Sequence, residues 1–229
     1  MGIVELNRKF YNLYQYVALL VIFPLITIIW YKKLDNIVYT ILSLSLPIIT
    51  AYIVPAIGTN VTNLWEFNNN KFMMGKFRLY HGFVLGSATS LFGYIYLSLY
   101  STHTTLNDVI ISAFYFGVFM SVVNFIYDAK AIECEYIIVH NKPAYEKKNA
   151  YIVAADYAII YFFTFGFIYA TYLKILQHFL TNNNINGQII ILMHFASLII
   201  PTLLYAIYSK LRHGTWGVSA YKPQLGDNK

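Results

Sequence analysis

Six stretches of about 20 apolar residues, each bounded by charged or polar positions, divide the 229-residue chain and set the class of fold it can adopt. At 1.5 Å per residue, a helix of that length crosses a hydrocarbon core of roughly 30 Å and satisfies its own backbone polar groups within lipid. The chain therefore reads as an all-α membrane protein, a bundle of six transmembrane helices at about 13–31, 37–58, 80–100, 107–128, 149–173 and 188–209. No internal repeat or low-complexity linker interrupts it, so 1–229 is expected to be a single polytopic domain. Only 11% of residues are charged, against roughly 25% in a soluble domain, which leaves too little polar surface for a wet exterior. The first apolar run ends at Trp30-Tyr31-Lys32-Lys33 rather than at a small-residue cleavage site, so it is expected to be a spanning helix and not a signal peptide.

The basic residues are unevenly divided among the connections. Thirteen lie on one side: Arg8 and Lys9; Lys71, Lys76 and Arg78; Lys130, Lys142, Lys147 and Lys148; and Lys210, Arg212, Lys222 and Lys229. The other side holds Lys32, Lys33 and Lys174. The positive-inside rule then places both termini on the cytoplasmic side of a plasma membrane, or on the matrix side of an organelle inner membrane. On that topology the sequon Asn60-Val61-Thr62 faces inward and is a chance match.

The two long loops, 59–79 and 129–148, fall on the positive side, where a site has room to form. Within the second, Cys134 to Glu146 reads as a short β-hairpin turning at Asn141-Lys142-Pro143, with an extension of the preceding helix as the alternative.

Ionisable groups inside a bilayer are costly and usually face the bundle interior or a wet cavity. Asp156, about seven residues or roughly 10 Å into the fifth helix, is the leading candidate for chemistry. It needs a partner or a proton, and a structural role bonded to Asn124 or a tyrosine is the competing reading. Asp128 ends a stripe on the fourth helix that also carries Gly117, Ser121 and Asn124. His194, Ser197, Tyr205 and Tyr208 make a second stripe on the sixth helix, and Gly82, Gly86, Ser90 and Gly93 give the third a small face for close packing. Glu66, Arg78 and His81 gather where the third helix enters the membrane. The expected catalytic set is thus Asp156, Asp128, His81 and Glu66, with Arg78, Asn124, Tyr127 and Trp216 binding substrate. Trp216 follows Arg212-His213-Gly214-Thr215 and precedes Gly217, a pattern that turns the tail back toward the bundle mouth.

Much of the alternative chemistry is excluded. One cysteine, Cys134, cannot form an internal disulfide or a multi-cysteine metal site, and no metal ligand set is assigned. A haem held by two histidines would need equal depths, whereas His81 and His194 should differ by about 20 Å. His103 and His178 fall at the outer rim and His140 in a loop, so no cofactor is assigned. The phosphate loop, the H-E-x-x-H zinc helix and the G-x-S-x-G elbow are absent. So are the histidine boxes of di-iron lipid desaturases and the Asp-Gly repeats of phospholipid-forming phosphotransferases. No basic run suited to nucleic acid occurs.

The preferred reading is a small membrane enzyme acting on a lipid or isoprenoid in the cytoplasmic half of the bilayer. The alternatives are a non-catalytic subunit held among partner chains of a larger membrane complex, for example a respiratory one, and a small-solute transporter or channel.

Overall fold

In the computed structural model, which describes residues 2–68, 72–102 and 105–223, each of the six apolar runs lies in a long helix. These are α1 (Ile3–Leu34), α2 (Ile37–Asn60), α3 (His81–Leu99), α4 (Leu106–Glu133), α5 (Ala150–Asn182) and α6 (Gly187–His213). Lys71, His103 and Lys229 fall outside the described residues. The chain is a multi-pass integral membrane protein: exposed Leu20, Ile28, Ile110, Phe119, Leu192 and Phe195 belong to an apolar exterior that water would not tolerate and lipid does.

Five of the six helices overrun the limits expected from hydropathy, α1, α4 and α5 by the most, because an apolar run marks the part of a helix immersed in lipid and not its ends. α1 starts ten residues before position 13, at Ile3, where Glu5 and Lys9 pair at 3.1 Å along one face while Tyr11 and Gln15 turn inward. α4 runs past 128 to Glu133, and α5 past 173 to Asn182. Several ends are set by capping side chains. Asn36, Asn149 and Asn186 accept from the first free N–H groups of α2, α5 and α6, and Thr105 does so for α4.

Prolines inside α1 and α2 are accommodated locally. Pro24 follows a π-helical turn at Ala18–Ile22 in α1, where Phe23 N reaches back to Ala18 O and the turn widens before the ring. In α2, Pro47 has no N–H for the carbonyl of Ser43 four residues earlier. The hydroxyl of Tyr169 on α5, wholly buried, donates to that oxygen at 3.0 Å. The core around this contact includes Trp30, Leu46, Tyr96, Phe165, Tyr172 and Leu173.

α4 and α5 pack along an extended seam. A Cβ on Gly166 would stand 3.1 Å from the Cα of Gly117, so only glycine permits the approach seen there. On α3, Gly82 and Gly86 meet Tyr52 and Ile48 of α2, and Gly93 meets Tyr169 of α5, so the expected small face does serve close packing.

A layer of loop and short strands covers one end of the bundle. Its strands are β1 (Trp65–Phe67), β2 (Met73–Met74), β3 (Phe77–Arg78) and β4 (Ile137–Val139). The hairpin expected within Cys134–Glu146 does not form. β4 pairs antiparallel with β1 from the other long loop, Glu66 opposite Ile138, and Lys142–Tyr145 is a single helical turn. Pro143 explains the difference: it offers no N–H to a ladder, and its fixed φ suits the first turn of a helix capped by Asn141. The hairpin in this layer is β2–β3, joined by Gly75-Lys76 with Gly75 at φ +63°. Asn60 holds that turn, accepting from Lys76 N at 2.9 Å and donating to Met74 O at 3.2 Å.

Both ends of the described chain reach this layer. Arg8 donates to Cys134 O at 3.0 Å. In the C-terminal tail, Ala220 N donates to Thr62 O at 3.0 Å and Tyr221 N to His140 O at 2.8 Å.

Candidate functional site

Asp156 lies in the second turn of α5 and is 1% exposed, but protein rather than lipid covers it. α6 ends beside it. The Nε2 of His213 is 2.6 Å from Oδ1 and the Nη1 of Arg212 is 3.8 Å from the same oxygen. The loop layer supplies the other oxygen's partner. Asn141 donates from Nδ2 to Oδ2 at 3.1 Å and to Val153 O at 3.1 Å, while its Oδ1 caps the helical turn through Ala144 N. One carboxylate thus ties together α5, the end of α6 and the second long loop, with cationic or hydrogen-bonding neighbours on both oxygens.

Asp156 forms part of the wall of an open cleft of about 580 Å³. Tyr205 and Ser209 line it from α6, and Asn141 and Lys142 from the loop layer. Val61, Thr62 and Asn63, just after α2, add to the wall, and the tail closes it with Thr215–Gly217 and Ser219–Lys222. Gly214 ends α6 at φ +75° and Gly217 turns again at φ +65°, so the tail doubles back as the two glycines imply. Trp216, half exposed, stands at the cleft with the Lys210 ammonium 5.8 Å from its ring. Lys142 and Lys222 make the wall opposite in charge to Asp156. Among the described residues no group of three His, Cys, Asp or Glu side chains is arranged to hold a metal ion.

The remaining residues expected at the site occupy three other places. Asp128, also buried, accepts at 2.8 Å from the hydroxyl of Tyr157, the residue after Asp156 on α5, so the two carboxyl groups have separate partners. Asn124 bonds within its own helix to Met120 O at 2.8 Å, and not to Asp156. Tyr127 turns the other way, toward α1, with its ring 4.9 Å from that of Tyr11. Glu66, on β1, pairs with Lys76 at 2.7 Å and stands 3.6 Å from His140. The hydrogen bond from Lys76, helped by its charge, holds the Glu66 carboxyl below the usual range. Trp65 beside it packs on Gly58 of α2.

Arg78 and His81 form the third place. His81 is half-buried, with its ring 4.8 Å from Phe67 and 6.2 Å from Phe77. Arg78 is 3% exposed, and its guanidinium lies 4.0 Å from the ring of Tyr136. None of Glu66, Arg78, His81, Asn124, Tyr127 and Asp128 lines the Asp156 cleft.

The groups that complete the Asp156 site are Asn141 and His213, with Tyr205 and Lys142 beside them. The signal for His213 in the sequence is weak: one histidine at the end of an apolar run. Asn141 carries none, since asparagine is common throughout the chain and here acts as a helix cap as well. Several side chains of the two polar stripes bond within the bundle. On α6, His194 bonds to Ser45 at 2.9 Å and to Ile190 O, and Ser197 bonds to Thr50 at 2.9 Å, so these side chains join helices.

Comparison of the chain with protein-family models, with curated proteins and with solved structures gives no match.

Proposed function

We propose that this protein is a small membrane enzyme that acts on the polar end of a lipid or isoprenoid, in the cleft between α5, α6 and the loop layer. The observation that carries the reading is the 2.6 Å pair of Asp156 and His213, with Asp156 lining an open cleft that Lys142 and Lys222 also line. In this reading the lysines attract an anionic headgroup, and Trp216 sits at the level where aromatic rings meet headgroups. Asp156 is the proton acceptor for a substrate hydroxyl or water. His213 keeps its own proton and stays hydrogen-bonded to Oδ1 as the carboxylate gains the substrate's proton, and Asn141 fixes the carboxylate's orientation. The transporter reading has less support because the stripes on α4 and α6 are engaged in hydrogen bonds of their own.

The test is a comparison of whole-cell lipid profiles from a host producing the full chain, the Asp156→Asn variant or no added protein, with equal membrane levels of the two chains. The expected result is a lipid class that is depleted or formed with the native chain and restored to the control level with the variant. Identical profiles in all three would overturn the reading. Native mass spectrometry from the protein's own membrane tests the subunit alternative. A mass far above 26.4 kDa with several different chains would replace the enzyme with a complex subunit.

A further inference from the structure

A second polar chamber lies on the other side of the loop layer, away from the Asp156 cleft. It encloses about 130 Å³ and is lined by Arg8 and Asn12 of α1, Asn68, Arg78 of β3, Glu135 and Tyr136. At roughly 30 Å³ per water molecule, that is room for about four waters or one tetrahedral oxyanion.

The charge inside it is unbalanced. Arginine stays protonated in proteins, so burying Arg78 to 3% exposure buries a full positive charge. Its Nη1 donates to Gln15 at 3.3 Å and its Nη2 to Asn68 O at 2.8 Å, both neutral acceptors. The Nε–H is buried and meets no acceptor among the described residues. The rings of Tyr136 and Phe67 lie 4.0 and 5.4 Å from the guanidinium, and the Tyr136 side chain also interacts with it as a neutral polar group. A buried cation without an anionic partner is unfavourable in a folded protein, and such groups are ordinarily paired. The one carboxylate at the chamber, Glu135, is exposed and bound to Arg8 at 3.2 Å. Two guanidiniums and one carboxylate leave the chamber net positive.

We infer that this chamber binds a phosphate group, held between the buried guanidinium of Arg78 and the rim guanidinium of Arg8. Guanidinium pairs match the oxygens of a tetrahedral anion through parallel N–H donors. The phosphate has two sources, the headgroup of an anionic lipid or free phosphate in solution, and they share this chemistry. The site is independent of the enzyme reading, since no residue of the Asp156 cleft takes part.

The experiment measures thermal unfolding of the full chain in mild detergent against increasing inorganic phosphate or short-chain phosphatidic acid, with sodium chloride at matched ionic strength. Stabilisation by either phosphate beyond chloride is expected. Saturation by the lipid at a concentration at least tenfold lower assigns the site to a headgroup, and the reverse order assigns it to free phosphate. Arg8→Gln, a rim substitution that leaves the buried groups in place, is expected to raise the saturating concentration about tenfold. Glu135→Gln, which removes the competing carboxylate, is expected to lower it severalfold. No stabilisation beyond chloride, or equal affinities in the native chain, Arg8→Gln and Glu135→Gln, would overturn the inference. Because neither informative variant alters Arg78 itself, a folding failure at that residue does not enter the result.

Discussion

Asp156 and His213 are 57 residues apart in sequence and meet at 2.6 Å, one from near the start of α5 and the other from the last residue of α6. Their contact closes the capped end of an antiparallel pair whose connection lies at the opposite end of the bundle. Replacing Asp156 by leucine leaves His213 Nε2 and one of the two N–H groups of Asn141 Nδ2 without this acceptor, and is expected to cost about 3–5 kcal/mol of stability. Asparagine keeps an oxygen in place and is expected to cost about half as much. A double-mutant cycle pairing Asp156→Asn with His213→Gln, followed by thermal unfolding in detergent, should give a coupling of about 1–3 kcal/mol. Additive effects would mean that the two side chains are neighbours without an energetic link.

The bond from Tyr169 to Ser43 exists because Pro47 vacates that carbonyl. Tyr169→Phe is therefore expected to destabilise the bundle by about 1 kcal/mol, within the range of interhelical hydrogen bonds in membranes. In a Pro47→Ala background the alanine N–H can return to Ser43 O, and the same Tyr169→Phe change should then cost about half as much or less. Unfolding midpoints of the four proteins check this, and an undiminished cost in the alanine background would refute it.

The α4–α5 seam has no room at Gly166, where a Cβ would fall 2.8 Å from the Cβ of Met120. Gly166→Ala is expected to lose about 1–3 kcal/mol, as overpacking does. Gly187→Ala, at the start of α6 with nothing within 4 Å, is the control and should change stability little. A loss at Gly187 equal to that at Gly166 would show that crowding does not set the cost, since helix propensity by itself favours alanine over glycine.

Glu66 gives the loop layer an acid-sensitive contact. Its folded-state pKa lies below the ordinary value of 4.5, chiefly through the hydrogen bond from Lys76. The stabilisation is therefore complete above that ordinary value and is lost as pH falls through the depressed one. Because the Lys76 side chain is half exposed, the effect is about 0.5 kcal/mol. Amide exchange in β1 and β4 should accelerate below pH 4.5, after correction for the intrinsic rate, and the Glu66→Gln variant should lack that component.

Cys134 is fully buried, its thiol directed at Ala131 O 3.5 Å away, and burial raises its pKa above the ordinary thiol value. Both effects suppress the thiolate. A maleimide reagent is expected to label it at least about a hundredfold more slowly in the folded chain than in denaturant. Comparable labelling rates would show that the loop layer opens readily.

The sequence by itself determined the membrane class and the six helices, because lipid selects for length and hydrophobicity, two properties that each segment carries alone. It also determined the return of the tail at Gly214 and Gly217, since positive φ is a local demand. Burial of Asp156 could be expected from its depth for the same reason. The tertiary structure decided what each polar group faces. β4 found β1 and not its own neighbour, Asn141 became both a helix cap and a ligand of Asp156, and Asp128 turned to Tyr157. Such choices depend on which loops meet over the end of the bundle. Hydrogen bonds between residues dozens of positions apart leave no periodic trace in sequence, whereas the hydrophobic demand of a bilayer is written into every segment that crosses it.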